Sequence, residues 1–161
     1  MKIRQAVLTD LPRLLEIEQQ GFTPEEAATA QAFEQRITRI PDTFLVAEQD
    51  GEIVGFINGP VMTSRYITDD LFSSLEPNRP QGGVQSILGL AVAVSARHQG
   101  IAQQLLTALE NVARKQQRTE MSLTCKEHLI GFYEHCGYTN EGQSESEHGG
   151  EVWYNLLKAI D

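Results

Sequence analysis

The 161-residue sequence predicts an α/β (α+β) domain built around a mixed sheet, and three observations predict it. Apolar stripes of helical period alternate along the chain with short β-branched runs. Glycine and proline clusters separate these segments at intervals suited to compact connections. A nearly continuous apolar run, Ser86 to Val94, reads as one strand buried on both faces and leads through a glycine turn into an amphipathic helix. With 40% hydrophobic and 22% charged residues, the chain suits a single domain spanning 1–161 that folds without a staple.

Taken in order, Lys2 to Val7 forms a short opening strand. Thr9 caps a helix with Asp10 and Pro12 in its first turn; Leu11, Leu14, Leu15 and Glu18 share helical spacing, and Gly21 ends it. Pro24-Glu25-Glu26 opens a second helix that carries Ala27, Ala28, Phe33 and Ile37 and stops at Pro41-Asp42. Thr43 to Glu48 and Glu52 to Pro60 make a hairpin about Gln49-Asp50-Gly51. The segment from Thr63 to Gly83 has no clear period, and a connection of that length points to function or mobility. After the central strand, Leu105, Leu106, Leu109 and Val112 line a helix over Gln103 to Arg114. Glu120 to Thr124 returns as a strand, Glu127 to His135 as a short helix, and Tyr138 to Gly142 with Val152 to Leu157 as a final pair.

Thirteen basic against twenty-two acidic residues give a formal charge of -9, which argues against nucleic acid and anionic membranes as partners. The same field favours a cationic ligand. Two cysteines, no segment resembling a secretory leader and no apolar stretch of spanning length point to a cytoplasmic protein. Nothing in the spacing of His, Cys, Asp and Glu suggests a metal site.

The most informative segment is Arg97-His98-Gln99-Gly100-Ile101-Ala102, set between a buried strand and a helix. The first amides of a helix lack intrahelical acceptors and carry partial positive charge, and small residues let that backbone approach a ligand. This is an anion site matched to a pyrophosphate, yet it lacks the glycines and lysine of the dinucleotide and nucleotide-triphosphate loops. The segment resembles the coenzyme A loop of the GNAT superfamily: Arg or Gln, two residues, Gly, one residue, then Gly or Ala. Arg97, Gly100 and Ala102 fit that pattern, behind Leu90-Ala91-Val92 on the strand.

The resemblance implies a mixed, mostly antiparallel sheet of about seven strands with helices on both faces, and acetyl-CoA as co-substrate. It assigns the pantetheine arm and thioester to the backbone of Leu90, Ala91 and Val92, and the pyrophosphate to residues 97–102. Phe132-Tyr133 before Gly137-Tyr138 resembles the superfamily's aromatic pair, which makes Tyr133 the general acid toward sulfur. The order of segments, from Glu16-Ile17-Glu18 and Gly21-Phe22 through Phe56-Ile57-Asn58-Gly59 to Trp153, is similar to the arylalkylamine N-acetyltransferase branch. That likeness implies a small amine acceptor with Phe22 and Trp153 enclosing it, and exposed strand edges that permit a homodimer. The two histidines of that branch's central strand correspond here to Ser86 and Leu88, so its proton relay is absent. His148 in the C-terminal loop is the first candidate for the base because histidine titrates near neutrality, with Glu48 or water as substitutes. A peptide acceptor and a non-catalytic CoA-binding module are the competing readings.

Overall fold

The computed structural model describes residues 1–72 and 75–160; Ser73, Ser74 and Asp161, within the predicted domain and its long connection, lie outside the described residues. Two sheets share the chain. Strands β1 (Lys2–Gln5), β2 (Phe44–Gln49), β3 (Glu52–Asn58) and β6 (Gly89–Val92) form a four-stranded antiparallel sheet in the order β1-β2-β3-β6. The second sheet, β4-β5-β7-β9-β8, contains β4 (Val61–Met62), β5 (Val84–Ile87), β7 (Glu120–Cys125), β8 (Thr139–Gln143) and β9 (Tyr154–Ala159). The pairing of β5 with β7 is parallel and the other pairings are antiparallel, as the sequence predicts for a mixed, mostly antiparallel sheet.

The period-two alternation of β2 sorts its side chains between two cores. Phe44 and Val46 join Leu14 and Ile17 of α1 (Leu11–Gly21) and Phe33 and Ile37 of α2 (Ala30–Arg39) on one face. Leu45 and Ala47 meet Leu105, Leu106 and Leu109 of α3 (Ile101–Lys115) on the other. That second core continues through Leu123 and Leu156 to Tyr133 on α4 (Ile130–His135). Phe33, Phe44 and Phe56 form an aromatic cluster with ring centroids 5.4–6.0 Å apart, Phe33 meeting the other two edge-on. Helices therefore cover both faces of the sheet, and they hold the strand ends that carry the site.

Two sequence expectations are corrected. The run Ser86 to Val94 is not one strand: β5 pairs with β7, β6 pairs with β3, and the chain changes sheets at Leu88. Close backbone approach enforces the crossing, because a Cβ on Gly59 would lie 2.1 Å from the Ser86 carbonyl oxygen. The second helix begins at Ala30 rather than Pro24, with Thr29 Oγ1 accepting from the Ala32 N–H at 3.1 Å. Residues 23–27 make a separate turn instead, closed by Glu26 and Ala27 N–H bonds to the Thr23 carbonyl and by the Thr23 N–H on Glu26 Oε1. No helix among the described residues is long and apolar enough to cross a membrane.

Candidate active site

Where β5 and β6 part company, a gap opens between the two sheets. The β3–β6 register makes Phe56 and Ala91 a hydrogen-bonded pair in phase with Ala93 N–H on the Val54 carbonyl at 2.7 Å. The backbone groups of Leu90 and Val92 consequently face the open edge, whereas Ala91 directs its own toward β3. Across the gap, β7 runs two residues past its last β5 partner, Leu123, so Thr124 and Cys125 border the opening.

A cavity of about 570 Å³ occupies this gap and extends under α1 and α2. Leu88 lines it from the crossing, Gly89 and Leu90 from β6, Thr124 and Cys125 from β7, and Tyr133 from α4. Tyr133 is 7% exposed, packs edge-on against Phe132 and Tyr138, and makes no hydrogen bond through its hydroxyl among the described residues. Burial pushes its phenol well above the usual range, so it stays protonated and able to donate at neutral pH. Burial also pushes the Cys125 thiol up to about 12, which disfavours the thiolate that a covalent acyl intermediate needs.

The loop at residues 97–102 follows β6 through a short 3-10 turn, Val94–Ala96. Gly100 is the N-cap of α3 with φ 77°, a left-handed conformation that glycine adopts without strain. No side chain caps this helix, and its first backbone bond is Gln104 N–H to the Gly100 carbonyl at 3.1 Å. The amides of Ile101, Ala102 and Gln103 therefore stay available at an end with partial positive charge. His98 (φ 65°) and Gln99 are exposed on the same turn. The Arg97 guanidinium folds back, donating from Nε to the Val92 carbonyl at 3.1 Å and from Nη2 to the Gln20 carbonyl at 3.4 Å. Its side chain thus ties β6 to the end of α1, and the anion-binding potential of the loop rests on its backbone. Bare helix amides and an open strand edge are the features that a diphosphate and an amide-bearing arm require, so acetyl-CoA fits the residues present.

The opposite wall is polar and aromatic. Phe22, Phe72 and Trp153 line the cavity with His148. His148 stacks on Phe72 with centroids 4.4 Å apart, and its Nε2 donates to the Glu26 carbonyl at 2.9 Å. Trp153 Nε1 donates to the His148 carbonyl at 2.7 Å, while Asp69 accepts from Ser146 Oγ and from the Glu147 N–H. These contacts fasten the C-terminal loop over the cavity, onto the α1–α2 turn and the long connection. Glu48 lies elsewhere, paired with Arg4.

Two wall residues escaped the sequence reading. Glu18, 5% exposed, accepts the Ala28 N–H through Oε2 at 2.7 Å, and its Oε1 has no partner. Burial raises its carboxyl above the ordinary value, against the lowering effects of the Ala28 bond and the Arg36 charge. Arg36, 2% exposed, donates from Nη1 to Asn58 Oδ1 at 3.2 Å, and its Nε has no acceptor. The legible signal was charge on an apolar stripe: Glu18 follows Leu14 by four positions, and Arg36 sits between Phe33 and Ile37.

A sheet parted at one residue, leading into a helix with bare amides, is an architecture for holding an acyl-CoA against a second substrate. That defines the class, a CoA-dependent acyltransferase. The chain belongs to the acetyltransferase (GNAT) family, whose model matches residues 11–138, and it is an acetyl-CoA-dependent N-acetyltransferase. No curated protein matches it. Among solved structures, the GphF GNAT-like decarboxylase in complex with isobutyryl-CoA aligns over 100% of both chains at 18% identity and TM-score 0.83. Chaetomium thermophilum Naa20 with a bisubstrate analogue aligns at 24% identity and TM-score 0.75, over 99% of this chain and 87% of its own. A ribosomal-protein-alanine N-acetyltransferase from Brucella melitensis gives 21% identity and TM-score 0.71, over 99% and 100%. At these identities the likeness is one of fold.

Proposed function

We propose that the chain acts as one N-acetyltransferase domain, transferring the acetyl group to a small primary amine by direct attack in a ternary complex. The observation that carries this reading is the sharing of one roofed cavity by Glu18, whose buried Oε1 has no partner, and Tyr133, a buried residue whose phenol is held protonated. A volume of about 570 Å³ suits a small molecule. The aromatic wall of Phe22, Phe72 and Trp153 supports an acceptor with a ring, in keeping with the arylalkylamine-like order of segments. The free Cys125 and Cys136 fit a reducing, cytoplasmic setting.

In this reading the bound acetyl-CoA supplies an activated acyl group and a thiolate leaving group. The amides of Ile101, Ala102 and Gln103 hold the diphosphate, with His98, Gln99 and Gly100 shaping the turn. The open-edge groups of Leu90 and the N–H of Val92, whose carbonyl already accepts from Arg97, bind the pantetheine arm and orient the thioester carbonyl. Glu18 takes the proton from the acceptor ammonium, and its raised carboxyl brings it closer to the pH at which it must work. Tyr133 protonates the sulfur. His148 keeps Nε2 engaged on the Glu26 carbonyl and serves as the fastening of the roof rather than as the base.

The test is thiol release from acetyl-CoA with arylalkylamines, polyamines, amino acids and short peptides, in wild type, Glu18→Gln and Tyr133→Phe. Release with small amines that both substitutions suppress is the expected result. Release with peptides alone would overturn the small-acceptor assignment, and a Tyr133→Phe enzyme of full turnover would overturn the acid.

A further inference from the structure

Glu18 and Arg36 carry opposite charges, both are more than nine-tenths buried, and both line the acceptor cavity. An ion pair kept for the fold closes to hydrogen-bond distance, because burial makes an open pair expensive. Here it stays open: among the described residues these two side chains form no ion pair with each other. What is left unmet is specific in kind. Glu18 Oε1 is an acceptor without a donor, and Arg36 Nε is a donor without an acceptor. Asn58, which fixes the guanidinium through Oδ1, also leaves its Nδ2 donor unmet.

The other carboxylates on the wall are engaged or exposed. Glu26 is paired with Lys126 and caps Thr23, Asp69 is bound to the C-terminal loop, and Glu25 faces solvent. A negative and a positive site across one small cavity complement a molecule bearing the reverse pattern. Arginine suits the positive role, since its planar fork matches a carboxylate.

We propose that the acceptor amine also carries a carboxylate and binds as a zwitterion, its ammonium on Glu18 and its carboxylate on Arg36. The proposal rests on the amine-transfer reading above and narrows its substrate class to amino acids, with the side chain directed toward Phe22, Phe72 and Trp153. A plain amine would leave the buried Arg36 Nε donor without an acceptor, which sets the preference.

The experiment compares matched pairs on the wild-type protein: phenylalanine with phenethylamine, tryptophan with tryptamine, and phenylalanine with its amide. Thiol release from acetyl-CoA gives kcat/KM for each. The expected result is a preference of at least about 100-fold for the free carboxylate, since a site built for a polar group strongly rejects an analogue lacking it. Arg36→Lys should keep part of that ratio and Arg36→Gln should collapse it toward one, chiefly through KM for the amino acid. Because the pairs are read on wild type, a variant that misfolds does not remove the test. Equal or better use of the decarboxylated amines overturns the zwitterion site and leaves the amine-transfer reading standing. Absence of release with every small amine overturns both.

Discussion

Replacing Glu18 by Gln separates the chemistry of the site from its architecture. The amide is nearly isosteric, and its oxygen can still accept the Ala28 N–H now bound at 2.7 Å, so the α1–α2 junction is kept. What is lost is a proton acceptor, a contribution of about 10²- to 10⁴-fold in kcat. The loss should depend on pH. An aliphatic ammonium with pKa about 10.4 is neutral in roughly one molecule per 2,500 at pH 7. Without a base, the variant must draw on that fraction, so its rate should rise about tenfold per pH unit where wild type has levelled off. Stability should move the other way. Burial raises the folded-state carboxyl above its ordinary 4.5, so its stabilising contribution is present at acid pH and is lost as pH rises through the folded value. Glu18→Gln should therefore raise Tm at pH 7, with the gain fading toward pH 4. Thiol-release kinetics from pH 6 to 9 and thermal melts at both pH values measure the two effects. A variant with wild-type kcat and an unshifted pH profile would refute the assignment of Glu18 as base.

Tyr133→Phe keeps the edge-on contacts with Phe132 and Tyr138 and should lower kcat by about 100-fold or more, with Tm and KM for acetyl-CoA nearly unchanged. His148→Ala removes the Phe72 stack and the Glu26 bond, so it should raise KM for the acceptor through a looser roof. A collapse of kcat at constant KM would instead make His148 the base. Gly100→Ala meets no atom within 4 Å but holds φ at 77°, so it should cost about 1 kcal/mol in denaturant unfolding and raise KM for acetyl-CoA. Gly59→Ala places a Cβ 2.1 Å from the Ser86 carbonyl oxygen and should destabilise by about 3 kcal/mol or more, with the sheet crossing forced to shift.

What the sequence disclosed follows how local each signal is. The turn at residues 97–102 was readable because one short segment supplies strand, turn and helix start, and Gly100 takes the left-handed conformation that suits glycine. The alternation in β2 and the stripe Leu105, Leu106, Leu109 likewise encode their burial directly. The crossing at Leu88 was not readable, because an apolar run gives no sign of changing partners in the middle. The partner strands β3 and β7 decide it, from residues some thirty positions away on either side. Arg97 was legible as a motif position but not in its role, since the Val92 and Gln20 carbonyls that hold it belong to other elements. Glu18 and Arg36 were visible only as breaks in apolar stripes, and such a break becomes a site only when a cavity lies beside it.

That placement explains why the protein tolerates two buried charges. The fold already interrupts itself at Leu88, where the chain leaves one sheet for the other and the cavity opens between them. Glu18 and Arg36 line the cavity in that gap, each fixed by one hydrogen bond: the Ala28 N–H for the carboxylate, Asn58 Oδ1 for the guanidinium. Their opposite charges lower the desolvation penalty of the pair without closing it. On the proposed reading, the polarity that weakens this corner of the core is the polarity that selects and deprotonates the acceptor, so replacing Glu18 by Gln should yield a more stable protein that turns over far more slowly.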